Sequence, residues 1–134
     1  MINYEAFIFD RVAKELRPLY KGIFIASENV PTNRTFPCVF LVEVENAINT
    51  RTLDSSEEEK FVNVTYELNV YSNKAFGKKT ECKEIASKVS DILRTLGFTR
   101  IMLQPIPNIE QPTIYRMVGR YTATISKNGE IFRR

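Results

Sequence analysis

The most regular pattern in the chain is the alternation of apolar and polar residues from Lys60 to Tyr71. The apolar positions of this stretch are Val62, Val64, Tyr66, Leu68 and Val70. The polar positions between them are Asn63, Thr65, Glu67 and Asn69. Because successive side chains of a strand point to opposite faces, the pattern predicts a long strand with one buried and one solvated face. Such a strand needs neighbours on both edges and a cover over its apolar face.

Two segments repeat their apolar residues at helical spacing, and each predicts one helix. The first helix begins near Asn3 and is ended by Pro18 and Gly22, and its stripe is Tyr4, Phe7, Ile8, Val12 and Leu16. The second helix begins at about Gly77 and stops at Gly97. Its stripe is Cys82, Ile85, Ala86, Val89, Ile92, Leu93 and Leu96. We expect this second stripe to lie across the apolar face of the long strand.

Four further runs predict strands around the long one: Ile23–Ala26, Cys38–Asn46, Phe98–Gln104 and Ile114–Ile125. In the second run, Val39, Leu41, Glu43 and Glu45 fall on one side, and Cys38, Phe40, Val42 and Val44 on the other. Its first half is therefore expected to be buried on both faces. The whole pattern predicts an α+β fold: a largely antiparallel or mixed sheet of four to five strands with two main helices on one face. At 134 residues, the chain is expected to form a single domain, 1–134.

The segment from Ala47 to Glu59 has no clear period and ends in Ser-Ser-Glu-Glu-Glu. Loops of this length are uncommon and are often functional. A segment this polar buries too little apolar surface to offset the entropy cost of ordering it. We therefore expect a long loop at about residues 46–60 that is mobile in the isolated protomer.

Composition narrows the classes of function. The chain has no histidine, which removes the usual general base, the commonest metal ligand and every Ser-His or Cys-His arrangement. Cys38 and Cys82 do not have metal-ligand spacing, and we expect two buried free thiols. Five singly scattered glycines provide no Gly-rich phosphate loop. The sequence therefore predicts a protein that is not an enzyme, with no catalytic, metal or cofactor-binding residues.

Hydropathy and charge bear on location and partners. No apolar run approaches the roughly 18 residues needed to span a bilayer, and the acidic N-terminus does not resemble a signal peptide, so we expect an intracellular protein without a membrane partner.

The charges are unevenly distributed along the chain. Residues 1–67 hold 7 Lys and Arg against 11 Asp and Glu, a balance of −4, whereas residues 68–134 hold 12 against 5, a balance of +7. Such a split suits either two differently charged solvated surfaces or a protomer whose acidic side meets the basic side of another copy.

Several features spread along the chain carry a family resemblance. They are the N-terminal helix, a loop ending in Phe36-Pro37 before a strand, a long alternating strand ending in Val70-Tyr71-Ser72-Asn73, a Lys-rich helix ending in Leu96-Gly97-Phe98, and a last strand containing Tyr115-Arg116-Met117 and Gly119-Arg120-Tyr121. With these features and its size, the chain resembles the tail terminator, or tail completion, proteins of long-tailed bacteriophages. It also resembles the small head–tail joining proteins of Gram-positive phages and prophages.

The resemblance implies a non-enzymatic structural protein of the virion tail, assembled in the cytoplasm of the bacterial host. Such proteins form a ring, usually a hexamer, that caps the tail tube and later docks on the head connector. The implied partners are other copies of the chain, the tail tube protein and the head–tail connector proteins. Genome DNA passes through the lumen of the ring and its sequence is not read.

Two sets of residues are candidates for these contacts. Candidates for a partner interface are the loop residues Arg51, Asp54, Glu57, Glu58 and Glu59, which could reach a tube subunit, together with Arg116 and Arg120. Arg116 and Arg120 lie four apart on a predicted strand, so they are expected to share one face. Candidates for facing the lumen or a neighbour are Asn63, Thr65, Glu67 and Asn69.

Three alternatives stay open on the sequence. The nearest is a head–tail stopper or adaptor protein of the same particle. The second is a small nucleic-acid-binding module that uses a basic face. The third is an enzyme that uses carboxylates, for which Glu43, Glu45 and Glu67 would have to meet across adjacent strands.

Overall fold

The computed structural model describes residues 1–28, 35–48, 60–107 and 112–133. These ranges contain two helices and six strands. The helices are α1 (Glu5–Leu16) and α2 (Lys78–Leu96). The strands are β1 (Phe24–Ala26), β2 (Cys38–Ile48), β3 (Phe61–Ser72), β4 (Thr99–Pro105), β5 (Tyr115–Ser126) and β6 (Ile131–Arg133). The predicted α+β class is confirmed: both helices pack on one face of a mixed sheet.

The long alternating strand, β3, lies at the centre of the sheet. The strand order is β1-β2-β3-β5-β4, and β6 also pairs with β5. β1 runs parallel to β2, and the other pairings of the described strands are antiparallel. Because β3 pairs with β5 from one end to the other, β4 and β6 share the opposite edge of β5. The sequence did not predict β6, whose three residues are too few to show a period.

The apolar face of β3 is buried beneath α2, as predicted. Its five apolar side chains are at most 1% exposed, and the Tyr66 ring packs edge-on against Phe98 with ring centroids 5.4 Å apart. From the helix, the fully buried side chains are Cys82, Ile85, Ala86, Val89 and Leu93. Leu96 is only partly buried, because the stripe of α2 reaches the rim of the core at its last turn. The matching periods of strand and helix therefore gave the correct pairing of faces.

The end of α2 is fixed by Gly97, again as predicted. Gly97 has a φ of +110°, and its N–H donates to the carbonyl of Arg94 at 3.0 Å. The next N–H, that of Phe98, donates to the carbonyl of Leu93 at 2.9 Å. This pair of bonds satisfies carbonyls of the last turn and directs the chain into β4. A Cβ atom on Gly97 would also lie 3.0 Å from the carbonyl oxygen of Ile131. Both the positive φ and this close contact therefore disfavour a larger residue at position 97.

α1 follows the predicted stripe with one exception. Ile8, Val12 and Leu16 are buried, but Phe7 is 54% exposed, so its assignment to the core was wrong. At about 100° per residue, Phe7 lies about 140° around the helix from Val12, which places it outside the buried arc. At the start of the helix, the side chain of Asn3 accepts a hydrogen bond from the Glu5 N–H at 3.1 Å.

β2 contains a β-bulge at Val44 that corrects the predicted faces. Glu43 pairs with Tyr66 and Glu45 pairs with Thr65, so the register shifts between the two glutamates. Since Tyr66 and Thr65 point to opposite faces, Glu43 and Glu45 do so as well, and the prediction that they share a side is wrong. The predicted burial of the first half of β2 on both faces is confirmed.

β2 also runs further than expected. It continues to Ile48, which pairs with Val62, so residues 46–48 of the predicted loop belong to a strand. The rest of the predicted mobile loop, residues 49–59, lies outside the described residues.

Candidate functional site: the outer face of the sheet

The face of the sheet opposite α1 and α2 carries six of the residues that the sequence selected as contact candidates. We call it the outer face; on β3 it comprises Asn63, Thr65, Glu67, Asn69 and Tyr71. On β5, Arg116 pairs with Tyr71 and Arg120 pairs with Glu67, so both arginines also lie on the outer face. The other candidates are outside the described residues: Arg51, Asp54, Glu57, Glu58 and Glu59.

Hydrogen bonds connect the two arginines through β3. Nη2 of Arg120 donates to Oε2 of Glu67 at 3.2 Å. The other carboxylate oxygen of Glu67 accepts from Nδ2 of Asn69 at 3.3 Å. Oδ1 of Asn69 in turn accepts from Nε and Nη2 of Arg116, at 3.2 and 2.8 Å. These four side chains form one continuous network, which we call the polar ladder.

Two further bonds tie the same face to the flanking strands. The Thr124 hydroxyl of β5 donates to Oδ1 of Asn63 at 2.9 Å. The Thr65 hydroxyl donates to Oε1 of Glu45 on β2 at 3.4 Å. Each of the six candidates on the outer face therefore bonds to a side chain of its own protomer. Among the described residues, no buried side-chain nitrogen or oxygen lacks a hydrogen-bond partner.

Aromatic rings flank the polar ladder at both ends. The guanidinium of Arg116 lies over the Tyr71 ring, 5.4 Å from its centroid. The Tyr71 ring packs against Phe40 at 5.7 Å, and Phe40 against Phe24 at 6.1 Å, both nearly edge to face. This row could not be predicted from the sequence, because it depends on the parallel pairing of β1 with β2, which no local pattern reveals.

The second aromatic pair lies at the start of β3. The Phe61 ring packs against Phe132 of β6 with centroids 6.1 Å apart. Phe132 remains 45% exposed. The outer face therefore has a polar centre between two apolar ends.

The charges of the outer face balance on its three central strands. The charged residues there are two glutamates, Glu45 and Glu67, and two arginines, Arg116 and Arg120. Burial raises the pKa of the Tyr71 hydroxyl, and the neighbouring Arg116 opposes that rise. The Arg120–Glu67 ion pair is partly exposed and contributes little to stability by itself. This surface is polar without being basic.

The carboxylate cluster considered for an enzyme does not form. The bulge at Val44 places Glu43 on the helix side, where its Oε1 accepts from the Tyr66 hydroxyl at 3.1 Å. Burial raises the pKa of Glu43, while the bond from Tyr66 lowers it. Glu45 and Glu67 lie on the other face of the sheet. Within the described ranges, no group of three or more His, Cys, Asp or Glu residues is placed to hold a metal ion.

The two cysteines are free and buried, as predicted. The Cys82 thiol lies 3.4 Å from the carbonyl oxygen of Tyr115. Burial raises the pKa of this thiol to about 12, with a smaller contribution from Glu81. Since the thiolate is the nucleophilic form, Cys82 is unreactive at neutral pH.

None of the described helices is long and apolar enough to cross a membrane.

Comparisons with known proteins add no family to these observations. A scan against protein-family models finds no match, and a search of curated proteins finds no similar sequence.

Proposed function

We propose that this chain is a structural subunit of a long-tailed bacteriophage or prophage. Its copies form a ring, with a hexamer as the expected size, that ends the tail tube and joins the tail to the head connector. The protein acts in the virion tail and is assembled in the cytoplasm of the host. The observation that carries the proposal is the two-sided sheet: one face is buried under helices, and the other presents a polar ladder between aromatic ends.

The polar ladder suits a surface that lies along a wet lumen or a neighbouring subunit. Its side chains are already bonded within the protomer, so no partner is needed to satisfy them. Affinity for DNA depends largely on the phosphates that Lys and Arg neutralise. On the outer face, Glu67 and Asn69 already engage the two arginines, and the charges balance. Such a surface supports the passage of DNA without holding it and without reading its sequence.

The apolar ends of the outer face suit contacts between subunits. Protein interfaces combine an apolar centre with a polar rim, and aromatic residues are enriched in them. The exposed Phe132 at one end and the partly exposed Phe24 and Tyr71 at the other provide such residues on both sides of the polar ladder, and the buried Phe40 supports the second pair from below. One protomer therefore offers apolar contact area at two separate places, as a ring subunit with two neighbours requires.

Deletion of the gene from the phage or prophage that encodes it tests this proposal. Without a terminator, nothing stops the growth of the tail tube, so electron microscopy should show filled heads and separate tails of uncontrolled length. Tails of normal length that remain unattached to heads would instead identify a stopper or adaptor. Normal, infectious particles would refute both roles. Expression of the wild-type gene from a plasmid provides the control.

A pair of substitutions tests the role of the outer face in the same assay. Arg116→Glu together with Arg120→Glu places like charges beside Glu67 and should block the assembly of finished particles. Arg120→Lys keeps the charge and should assemble normally. Circular dichroism must first show that the double variant is folded, since Arg116 also supports the buried Asn69. A folded double variant that yields infectious particles would show that these arginines are ordinary surface residues.

A further inference from the structure

The turn between β3 and α2 projects the most exposed phenylalanine of the described residues. Phe76 is 90% exposed, and Lys74, Lys78 and Lys79 surround it in the sequence. Single exposed apolar side chains are common on protein surfaces. A phenylalanine held almost entirely in water among three lysines is a more specific combination, because it pairs an apolar centre with a charged rim. We call residues 73–79 the basic tip.

The basic tip is anchored at both ends. The hydroxyl of the buried Ser72 donates to the carboxylate of Glu81 at 2.7 Å and accepts from the Lys74 N–H at 3.3 Å. Gly77, with a φ of +85°, precedes α2, and its carbonyl accepts from the Glu81 N–H at 2.9 Å. These bonds hold the turn in shape, so a partner that binds Phe76 does not have to order it first.

A second exposed apolar residue stands among acidic side chains at the bulge of β2. Val44 is 45% exposed, and its neighbours Glu43 and Glu45 project to opposite faces of the sheet. Glu5 of α1 lies close enough to Glu43 to raise the pKa of its carboxyl group. β1 pairs with β2 only from Cys38 to Phe40, so it stops short of this segment. We call Glu5, Glu43, Val44 and Glu45 the acidic edge.

The basic tip and the acidic edge lie too far apart to meet within one protomer. Glu43 pairs with Tyr66, whereas the basic tip begins after Ser72, six residues further along β3. At about 3.3 Å per residue, six residues of strand span about 20 Å. A contact between the two features must therefore join different copies. It would use a different patch on each copy, and such heterologous contacts close into rings when the rotation allows.

We propose that the basic tip of one copy docks on the acidic edge of the next, with Phe76 against Val44 and the lysines facing Glu5 and Glu45. The inference rests on the proposed ring and adds a contact between neighbouring copies to those at the aromatic ends of the outer face. Charge complementarity selects the acidic edge as the partner of the basic tip and sets the orientation of the contact. Burial of the two apolar side chains supplies the larger part of the interface energy.

Disulfide cross-linking of a double variant, Val44→Cys with Phe76→Cys, tests the contact directly. Cys38 and Cys82 are buried, so a mild oxidant acts on the introduced thiols. A head-to-tail contact produces a ladder of multimers on a non-reducing gel, and each single variant remains monomeric. The matched control combines Val44→Cys with Phe7→Cys, because Phe7 is another exposed phenylalanine but lies on α1. An equal ladder in that control would show random collision and overturn the proposal, as would dimers of Phe76→Cys alone, which indicate a two-fold contact.

Sedimentation separates a wrong interface from a wrong ring. We expect the mass of the wild-type protein to rise with concentration, and Phe76→Ser to weaken self-association by about tenfold or more, as loss of a central aromatic residue does. Phe7→Ser should associate as the wild type does. If the wild type assembles and Phe76→Ser assembles equally well, the interface is wrong and the ring survives. If the wild type remains monomeric up to its solubility limit, both proposals fail.

Discussion

The packing of α2 on β3 can be tested by truncating two leucines of the same helix. Leu93 is fully buried at the centre of the core, whereas Leu96 is only partly buried at its rim. Both lie on the apolar stripe that the sequence predicted, and both become alanine, so the change in composition is identical. The structure predicts that the two variants lose unequal amounts of stability. Membership of the same apolar stripe would by itself predict similar losses.

The expected magnitudes follow from burial. Leu→Ala removes three carbon atoms, each worth about 0.8 kcal/mol when fully buried, or about 2.4 kcal/mol together. The cavity left in a packed core adds to this loss, so Leu93→Ala should lower the free energy of unfolding by about 3–4 kcal/mol. At Leu96, part of the side chain is already in water and the rim can relax. Its truncation should therefore lower the free energy of unfolding by about 1 kcal/mol.

Urea unfolding followed by far-ultraviolet circular dichroism measures both losses. With an m-value of about 1.5 kcal/mol/M, Leu93→Ala should lower the midpoint by about 2 M and Leu96→Ala by less than about 1 M. The m-values of the variants must match that of the wild type, so that the shift reports stability alone. Equal losses, or a larger loss at Leu96, would mean that α2 is rotated about its axis relative to the structure, and the packing described here would be refuted.

Three further changes probe single interactions by the same unfolding measurement. Tyr66→Phe removes the hydroxyl that donates to Glu43 and should cost about 1–2 kcal/mol; no loss would show that water replaces the bond. Gly97→Ala should cost about 1–2 kcal/mol, because alanine at positive φ is strained, and an unchanged midpoint would contradict the cap geometry. Because burial raises the pKa of Glu43 above its ordinary value of 4.5, the folded state binds this proton more tightly than the unfolded chain does. The corresponding stability is present below that value and is lost as the pH rises above it through the raised pKa, so Glu43→Gln should remove this part of the decline.

Local periodicity in the sequence was sufficient to predict most of the side chains that form the core of this fold. The alternation along β3 and the stripe of α2 each identify one buried face, and two such faces in a chain of this length have to cover each other. Gly97 marked the end of α2, because glycine readily adopts the positive φ of that cap. These features depend on residues close together in the chain, and for that reason they can be read from it.

The errors arose where a pairing partner decides the outcome. Glu43-Val44-Glu45 alternates like any strand, and only its register against β3 shows that Val44 is an extra residue. The sequence placed Asn69 and Arg116 among the candidates without bringing them together. A shift of β5 by two residues would keep every side chain on its face and yet give Arg116 a different partner. Face membership was therefore predictable, whereas the bonds of the polar ladder were not.

The bonds of the polar ladder also change which positive charges are available to a partner. In the sequence, Arg116 and Arg120 are the conspicuous positive charges of the last long strand, and they were natural candidates to attract a partner. In the structure, Arg116 is held by Asn69 and the Tyr71 ring, and Arg120 by Glu67. An anionic partner would have to displace these contacts, which reduces its gain. The lysines of the basic tip are therefore better placed than these arginines to attract another copy, as proposed above. They surround Phe76, which is exposed. Salt should therefore weaken the proposed self-association by screening Lys74, Lys78 and Lys79, while Arg116 and Arg120 stay bound to partners within their own protomer.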